Sequence, residues 1–323
     1  MGKWEIAGLY RQTAQNQTDP TLQTADAYIK RRYAIMKNGQ KFKLYVPIMC
    51  GLAQQGKLIP NLIDMKFIFT KTSNNDFHYT CPETIADTFR LSIEAAHLAI
   101  KRVKLYPTVE QEIVSRLNEG TICNMYFRHE YCRAFSLRVG ETTVRHPNIL
   151  LTDYLPRSML VCLIERAEYD GSKSASNFSF QPQGLESLCV TSNGITYPVD
   201  GPFEPEFTGT VATSQYGRSY FSLTASAPGL GLKSDFAYWI NQQMWATGFA
   251  IYKFDFSRYN QSFVTGDAYL DQRIPSSGCD LHFKFKNALT EALVALVFTS
   301  YVESISISSD SNNTRNVELN YAL

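Results

Sequence analysis

The stretch LHFKFKNALTEALVALVFTSYVESISIS, residues 281–308, decides the fold. Its first six residues alternate strictly, with Leu281, Phe283 and Phe285 on one face and His282, Lys284 and Lys286 on the other. A side-chain period of two describes an antiparallel strand with one face on a core and the other toward water. The run 294–307 predicts a second strand, joined to the first by the turn 287–291. Together they predict a β-sandwich closing on itself. Neither run carries a catalytic cluster, so the chain reads first as a shell-forming or binding protein.

Working outward, 323 residues suit two packed units or one sandwich with large loop insertions. The 19 Tyr and 20 Phe lean toward β-structure. A formal net charge of +1 gives no global field for nucleic acid, so no specific nucleic-acid site is expected. The seven cysteines (Cys50, Cys81, Cys123, Cys132, Cys162, Cys189, Cys279) are odd in number and irregular in spacing. They read as buried free thiols of a reducing compartment, which predicts an intracellular protein before any assembly. No apolar stretch approaches the ~20 residues that span a bilayer, so membrane insertion is not expected. Residues 1–5 lack the basic-then-apolar plan of a secretory signal.

Residues 1–40 are polar and read as an N-terminal arm, with a short helix over 21–36. Residues 41–49 and 62–70 alternate as strands. Residues 89–105 read as a longer strand whose apolar phase slips twice, the pattern of bulges. Pro107 then opens a helix over 108–118, with Val109, Ile113, Val114 and Leu117 at helical spacing and Gly120 just past its end. This helix, within a connector spanning 107–120, separates two units. Beyond it the pattern is nearly all β: 124–139, 158–167, 185–191, 195–199, 248–256, 278–286 and 294–308. Residues 219–225 and 235–245 break that pattern and read as inserted helices.

Cys123, His129 and Cys132 invite a zinc reading, but on one strand Cys132 faces away from the other two and no fourth ligand follows, so thiols and a paired histidine account for them better. Residues 229–234, GLGLKS, resemble a phosphate loop with Leu232 where glycine must precede the lysine. Residues 310–315 fail as a calcium loop because Arg315 stands where glycine is needed. His78, His97, His129, His146 and His282 are scattered, and Glu130 is the acidic residue adjoining one of them. Lys101, Arg102 and Lys104 read as a solvated sheet face more readily than as a site for an acidic partner. No catalytic, cofactor-binding or metal-binding residue is therefore expected, and no enzyme.

In order along the chain, LSIEAAHLAIKRVKLYPTVE (91–110), LPRSMLVCLIERAEYDGSKSASNFSFQPQGLESLCVTSNG (155–194), GFAIYKFDFS (248–257) and residues 281–308 resemble the double jelly-roll major capsid proteins of Maverick/polinton-like and adintovirus-like elements. The resemblance implies a mainly β fold, a jelly-roll β-sandwich complete at the C-terminal end and partial at the N-terminal end, joined by a short helix. It divides the chain into the arm 1–40, the closing strands of a partial first roll over 41–106, the connector 107–120 and a second roll over 121–323 with inserted helices. The opening strands of the first roll have no counterpart in residues 1–40, so the expectation is either a truncated or split copy or a separate chain that supplies those strands.

The same resemblance implies a structural capsid protein in the virion that forms homotrimers and a lattice, with other capsid proteins or a separate strand-supplying chain as further partners. Two alternatives stand beside it. One is a carbohydrate- or ligand-binding β-sandwich, with Trp239, Trp245, Tyr216 and Tyr220 as a stacking surface. The other is a hydrolase on a jelly-roll scaffold, resting on His129 and Glu130.

Overall fold

The alternation in the second half of the chain becomes nine strands: β1 (Cys123–Leu137), β2 (Thr143–His146), β3 (Ser158–Glu165), β4 (Leu185–Ser192), β5 (Ile195–Tyr197), β6 (Ile251–Asp255), β7 (Cys279–Phe285), β8 (Leu293–Ser309) and β9 (Arg315–Asn320). They belong to a computed structural model that describes residues 30, 33–35, 39–46, 48, 50–54, 56–60, 63–70, 91–172, 178–207, 215–225, 240, 242–256, 274–309 and 315–320. β1 pairs with β8, β2 with β7, β3 with β6 and β4 with β5, each pair antiparallel. A long hairpin rolled over on itself has this nested pairing. Rolling gives one sheet in the order β1-β8-β3-β6 and a second in the order β2-β7-β4-β5, with β9 added beside β8. The fold is a jelly-roll β-sandwich.

The inner faces of the two sheets share one core. One sheet contributes Leu137, Met159, Val161, Leu163, Tyr252, Phe254, Ala295 and Val297, and the other Leu188, Val190, Leu281, Phe283 and Phe285. The apolar phase of 281–286 thus faces inward as the alternation predicts. β7 and β8, however, do not pair with one another. They lie in opposite sheets, and residues 286–292 carry the chain across the edge of the sandwich. Residues 293–297 are all buried, a continuous run rather than an alternation. The cause is a second apolar cluster on the outer face of the β1-β8-β3-β6 sheet, where Cys162, Ile164, Val294 and Leu296 are covered by Phe180. A strand buried on both faces loses its polar phase.

β4 turns both Leu185 and Leu188 to the core although they are three apart. Its register against β7 slips between Leu185 and Ser187, a bulge that adds one residue and restores the inward phase. The extra residue, Glu186, points out and meets Lys284 Nζ at 2.6 Å. β1 and β8 are continuous over fifteen pairs, from Cys123↔Ile307 to Leu137↔Leu293. At about 3.3 Å per residue such a ladder is roughly 50 Å long, well beyond an ordinary strand.

Five helices punctuate the described chain: α1 (Gly51–Gln54), α2 (Pro107–Asn118), α3 (Arg166–Asp170), α4 (Gly217–Ala225) and α5 (Gln242–Gly248). α2 begins at the proline and ends as the sequence predicts. The Gly120 N–H donates to Leu117 O and the Thr121 N–H to Arg116 O, with Gly120 at φ +88°, a Schellman closure that favours glycine. The helix is laid on β8 through Leu117, its one buried residue. In α5, Trp245 is fully buried and donates from Nε1 to Ile251 O at 3.0 Å. Residues 30 and 33–35 are helical, and the rest of the expected helix over 21–36 lies outside the described residues.

Ahead of β1 the expectations need correction. None of the described residues in 41–46, 63–70 or 91–106 belongs to a strand or bridge. The alternation is present, but no neighbouring strand among the described residues offers a ladder. An extended backbone without one satisfies its N–H and C=O groups elsewhere. The phase slips in 91–105 therefore mark no bulges. The cysteines also depart from expectation. All six described are free, yet Cys50 and Cys132 are exposed, Cys123 and Cys189 are half-buried, and only Cys162 and Cys279 lie in cores. Burial raises the Cys162 thiol far above its ordinary value and pushes Cys279 up to about 12, so both are inert packing groups.

Candidate functional site

Strand alternation dictates where each candidate from the sequence goes. Cys123 and His129 share the inner phase of β1, whereas Cys132 pairs with Phe298 in the opposite phase. The three do not converge, and among the described residues no three His, Cys, Asp or Glu side chains form a metal-binding group. Adjacent positions on a strand also send His129 and Glu130 to opposite faces, so they cannot act together. Residues 229–234 and 310–314, together with Cys81, His78 and Trp239, lie outside the described residues. Trp245 and Tyr216 stack on each other at 5.4 Å and are 0% and 1% exposed, so neither ring offers a face to a sugar. Tyr220 donates its hydroxyl to Ile240 O.

A polar cluster that sequence reading missed occupies the far end of the β1/β8 ladder. Glu303 on β8 is fully buried and accepts hydrogen bonds from Tyr131 Oη at 2.9 Å and from His129 Nδ1, its partner at 2.7 Å. The rings of His129 and Tyr131 stack at 4.3 Å, and Tyr301 meets Tyr131 edge-on. Two donors satisfy the carboxylate, which makes its burial tolerable. The signal was a charge in the inward phase of β8, between Tyr301 and Ile305. Among the described residues the His129 ring makes no hydrogen bond to a serine or cysteine, so the arrangement fixes the ladder rather than poising a nucleophile.

The largest departure from an ordinary surface lies before β1. Tyr45, Ile68, Phe69, Ile93 and Tyr106 are 64% to 80% exposed. Val109, Ile113 and Val114 leave the apolar stripe of α2 open as well. Most of the exposed large apolar side chains in the described chain fall ahead of Cys123. This part touches the roll where α1 meets β1. Any side chain at Gly51 would collide with the Arg128 backbone, and Lys57 Nζ donates to Asn124 O at 2.7 Å. Large apolar side chains left exposed in such number point to an interaction surface.

A third feature is a cleft of about 730 Å³ at the end of β3, lined by Glu165, Glu168, Gln181, Gln183, Phe207 and Ala246 among others. Burial, with Glu165 and Glu291 nearby, raises the Glu168 carboxyl to about 7. His282, by contrast, is an ordinary sheet residue bonded to Thr191 Oγ1 at 2.9 Å. Among the described residues no helix is long and apolar enough to cross a membrane.

No protein-family model matches the chain, and no curated protein matches it. Among solved structures it is similar to a quasi-atomic model of the PBCV-1 virus capsid, with 10% identity and a TM-score of 0.39 over 68% of this chain and 55% of that one. It is similar to the Sputnik virophage structure at 9% identity and a TM-score of 0.34, over 63% of this chain and 40% of that one. With the mavirus major capsid protein it shares 13% identity and a TM-score of 0.31, over 61% and 41% of the two chains. The chain thus spans about half or less of these structures' lengths.

Proposed function

We propose that the chain is a structural capsid protein of a virus or virus-derived element of the Maverick/polinton or adintovirus kind, assembling into trimeric capsomers within a virion. The observation that carries this reading is the band of uncovered apolar side chains over residues 44–114, attached to a roll that has already closed its own core. The roll needs no partner to bury its inner faces, whereas the band does. Covering it by further copies, or by a separate chain that supplies strands to residues 41–106, gives a partial first roll beside the complete second one. The long β1/β8 ladder then stands as a stiff wall between neighbours. The role is structural and not enzymatic.

Mass in solution tests it. Sedimentation of the purified chain should give three times the 36.6 kDa of one copy, or larger closed particles under the electron microscope. A monomer that persists into the high micromolar range, alone and with a co-expressed partner chain, would overturn the proposal.

A further inference from the structure

Among the described residues, the cleft beside α3 gathers Glu165 and Glu168 with no basic side chain in its lining. Glu168 is 9% exposed, and its Oε2 is buried without a hydrogen-bond partner. An orphaned carboxylate oxygen in a native site calls for an unseen donor. Among the described residues the neighbours do not supply it. Glu165 Oε1 is engaged by Gln183 Nε2, and Arg166 spends its guanidinium on Asp170 and Ser136. Glu291, close enough to raise the Glu168 carboxyl, adds like charge.

The lining discriminates between kinds of cation. A hard cation such as calcium or magnesium asks for six or more oxygens, yet Gln183 turns its nitrogen toward Glu165 and Gln181 turns its nitrogen to Ser179. One wall is apolar, made by Phe207, Pro182 and Ala246. A flat guanidinium on an aliphatic stem meets both demands, because it donates in pairs to carboxylates and stacks on rings. The chain carries a source. Lys101, Arg102 and Lys104 are exposed, interleaved with exposed Ile100 and Val103, in residues that form no strand.

We infer that this cleft receives the Arg102 side chain of a second copy of the chain, the guanidinium pairing with Glu168 and Glu165 while its stem lies on Phe207 and Ala246. The inference rests on the self-association proposed above and names one of its contacts. Made in one direction, the contact is head-to-tail and closes into a ring when the rotation allows; made reciprocally, it joins two copies about a two-fold axis.

A fluorescently labelled peptide of residues 98–106, LAIKRVKLY, tests the cleft without requiring assembly. It should bind the full chain saturably. Glu168→Gln in the protein, or Arg102→Gln in the peptide, should weaken binding about tenfold or more, the loss expected for a charge-assisted hydrogen bond. In the full chain, Arg102→Glu should weaken association, and adding Glu168→Arg should restore it. Absence of peptide binding, binding unchanged by Glu168→Gln, or displacement of the peptide by calcium chloride at low millimolar concentration would each overturn the assignment. A chain that assembles while its Glu168→Gln variant assembles and binds peptide unchanged sinks the cleft and leaves the capsid reading. A chain that stays monomeric yet binds the peptide through Glu168 sinks the capsid reading and leaves the cleft's preference for a guanidinium.

Discussion

Residues 63–70 and residues 279–285 carry the same local signal and reach opposite ends. Apolar and polar side chains alternate over 63–67 as they do over 279–285. In β7 the alternation is converted into a strand whose Leu281, Phe283 and Phe285 are buried, because β2 and β4 flank it in register. In 63–70, Phe67, Ile68 and Phe69 stay exposed and no ladder forms. Alternation states which way side chains will point if a strand forms. Whether it forms depends on a neighbour that satisfies the backbone, often from a distant part of the chain. The roll supplies every strand with such a neighbour, and among its described residues the segment before it does not.

The comparison is broken most severely by substitution in the two apolar populations. Trp245→Ala, at a fully buried side chain packed against Tyr216 and Tyr252, should cost about 3–5 kcal/mol in urea unfolding. Ile68→Ser and Phe69→Ser should change monomer stability by about 0.5 kcal/mol or less and yet abolish association. If Phe69→Ser unfolds the isolated chain as Trp245→Ala does, the first region has a core of its own and the contrast is void.

Next in size is the buried carboxylate that ties β8 to β1. Glu303→Ala removes the carboxylate that the Tyr131 hydroxyl and His129 both meet, and should cost about 2–3 kcal/mol. Hydrogen exchange should show the loss confined to the half of the ladder near Cys123↔Ile307, with Leu137↔Leu293 still protected. Uniform loss of protection would mean the ladder opens as one unit.

What the sequence made legible follows from the same distinction. Seven of the strands are visible as local patterns, and the inward phase of β7 is correct residue by residue. β2 is four residues with a single apolar side chain, Val144, and β9 exposes Val317 and Leu319. The first has no pattern to find and the second only a short alternation of Val317 and Leu319 with Asn316, Glu318 and Asn320, and both pair because β7 and β8 offer them an edge. The opposite-sheet placement of β7 and β8 was likewise invisible, since inward alternation looks the same from either side of a sandwich. The Glu303 cluster joins residues 174 positions apart in sequence. Glu168 sits three residues from Glu165, but the contribution of Glu291 depends on the crossing between sheets. Tertiary pairing, not local pattern, determined each of these.

A smaller effect probes the seam between the two regions. Gly51→Ala places a methyl group against the Arg128 backbone, which cannot move without disturbing the β1/β8 ladder. Residues 51–57 should then lift from β1 at a cost of about 1–2 kcal/mol. Faster amide exchange around α1, with the global unfolding midpoint unchanged, is the expected result. A fall in the global midpoint would show that the seam belongs to the cooperative unit of the roll.

The smallest effect is a pH dependence placed inside the roll. Glu168 has its carboxyl raised from 4.5 to about 7 by burial, with Glu165 and Glu291 adding repulsion, while Arg166 nearby is held by Asp170. Between these two values the folded chain binds a proton that the unfolded chain has released, so stability falls as pH rises from about 4.5 to about 7 and is flat beyond. Water at the cleft mouth screens the carboxylate, which reduces the loss to about 1–2 kcal/mol. Urea midpoints measured across that window should decline for the wild type and lose that component of the slope in Glu168→Gln. An unchanged slope would assign the dependence to groups elsewhere. Occupation of the cleft by a cationic side chain reverses the preference, because the pair favours the charged carboxylate. An assembled form whose stability no longer declines over this window would then set the same residue apart in its free and contacted states.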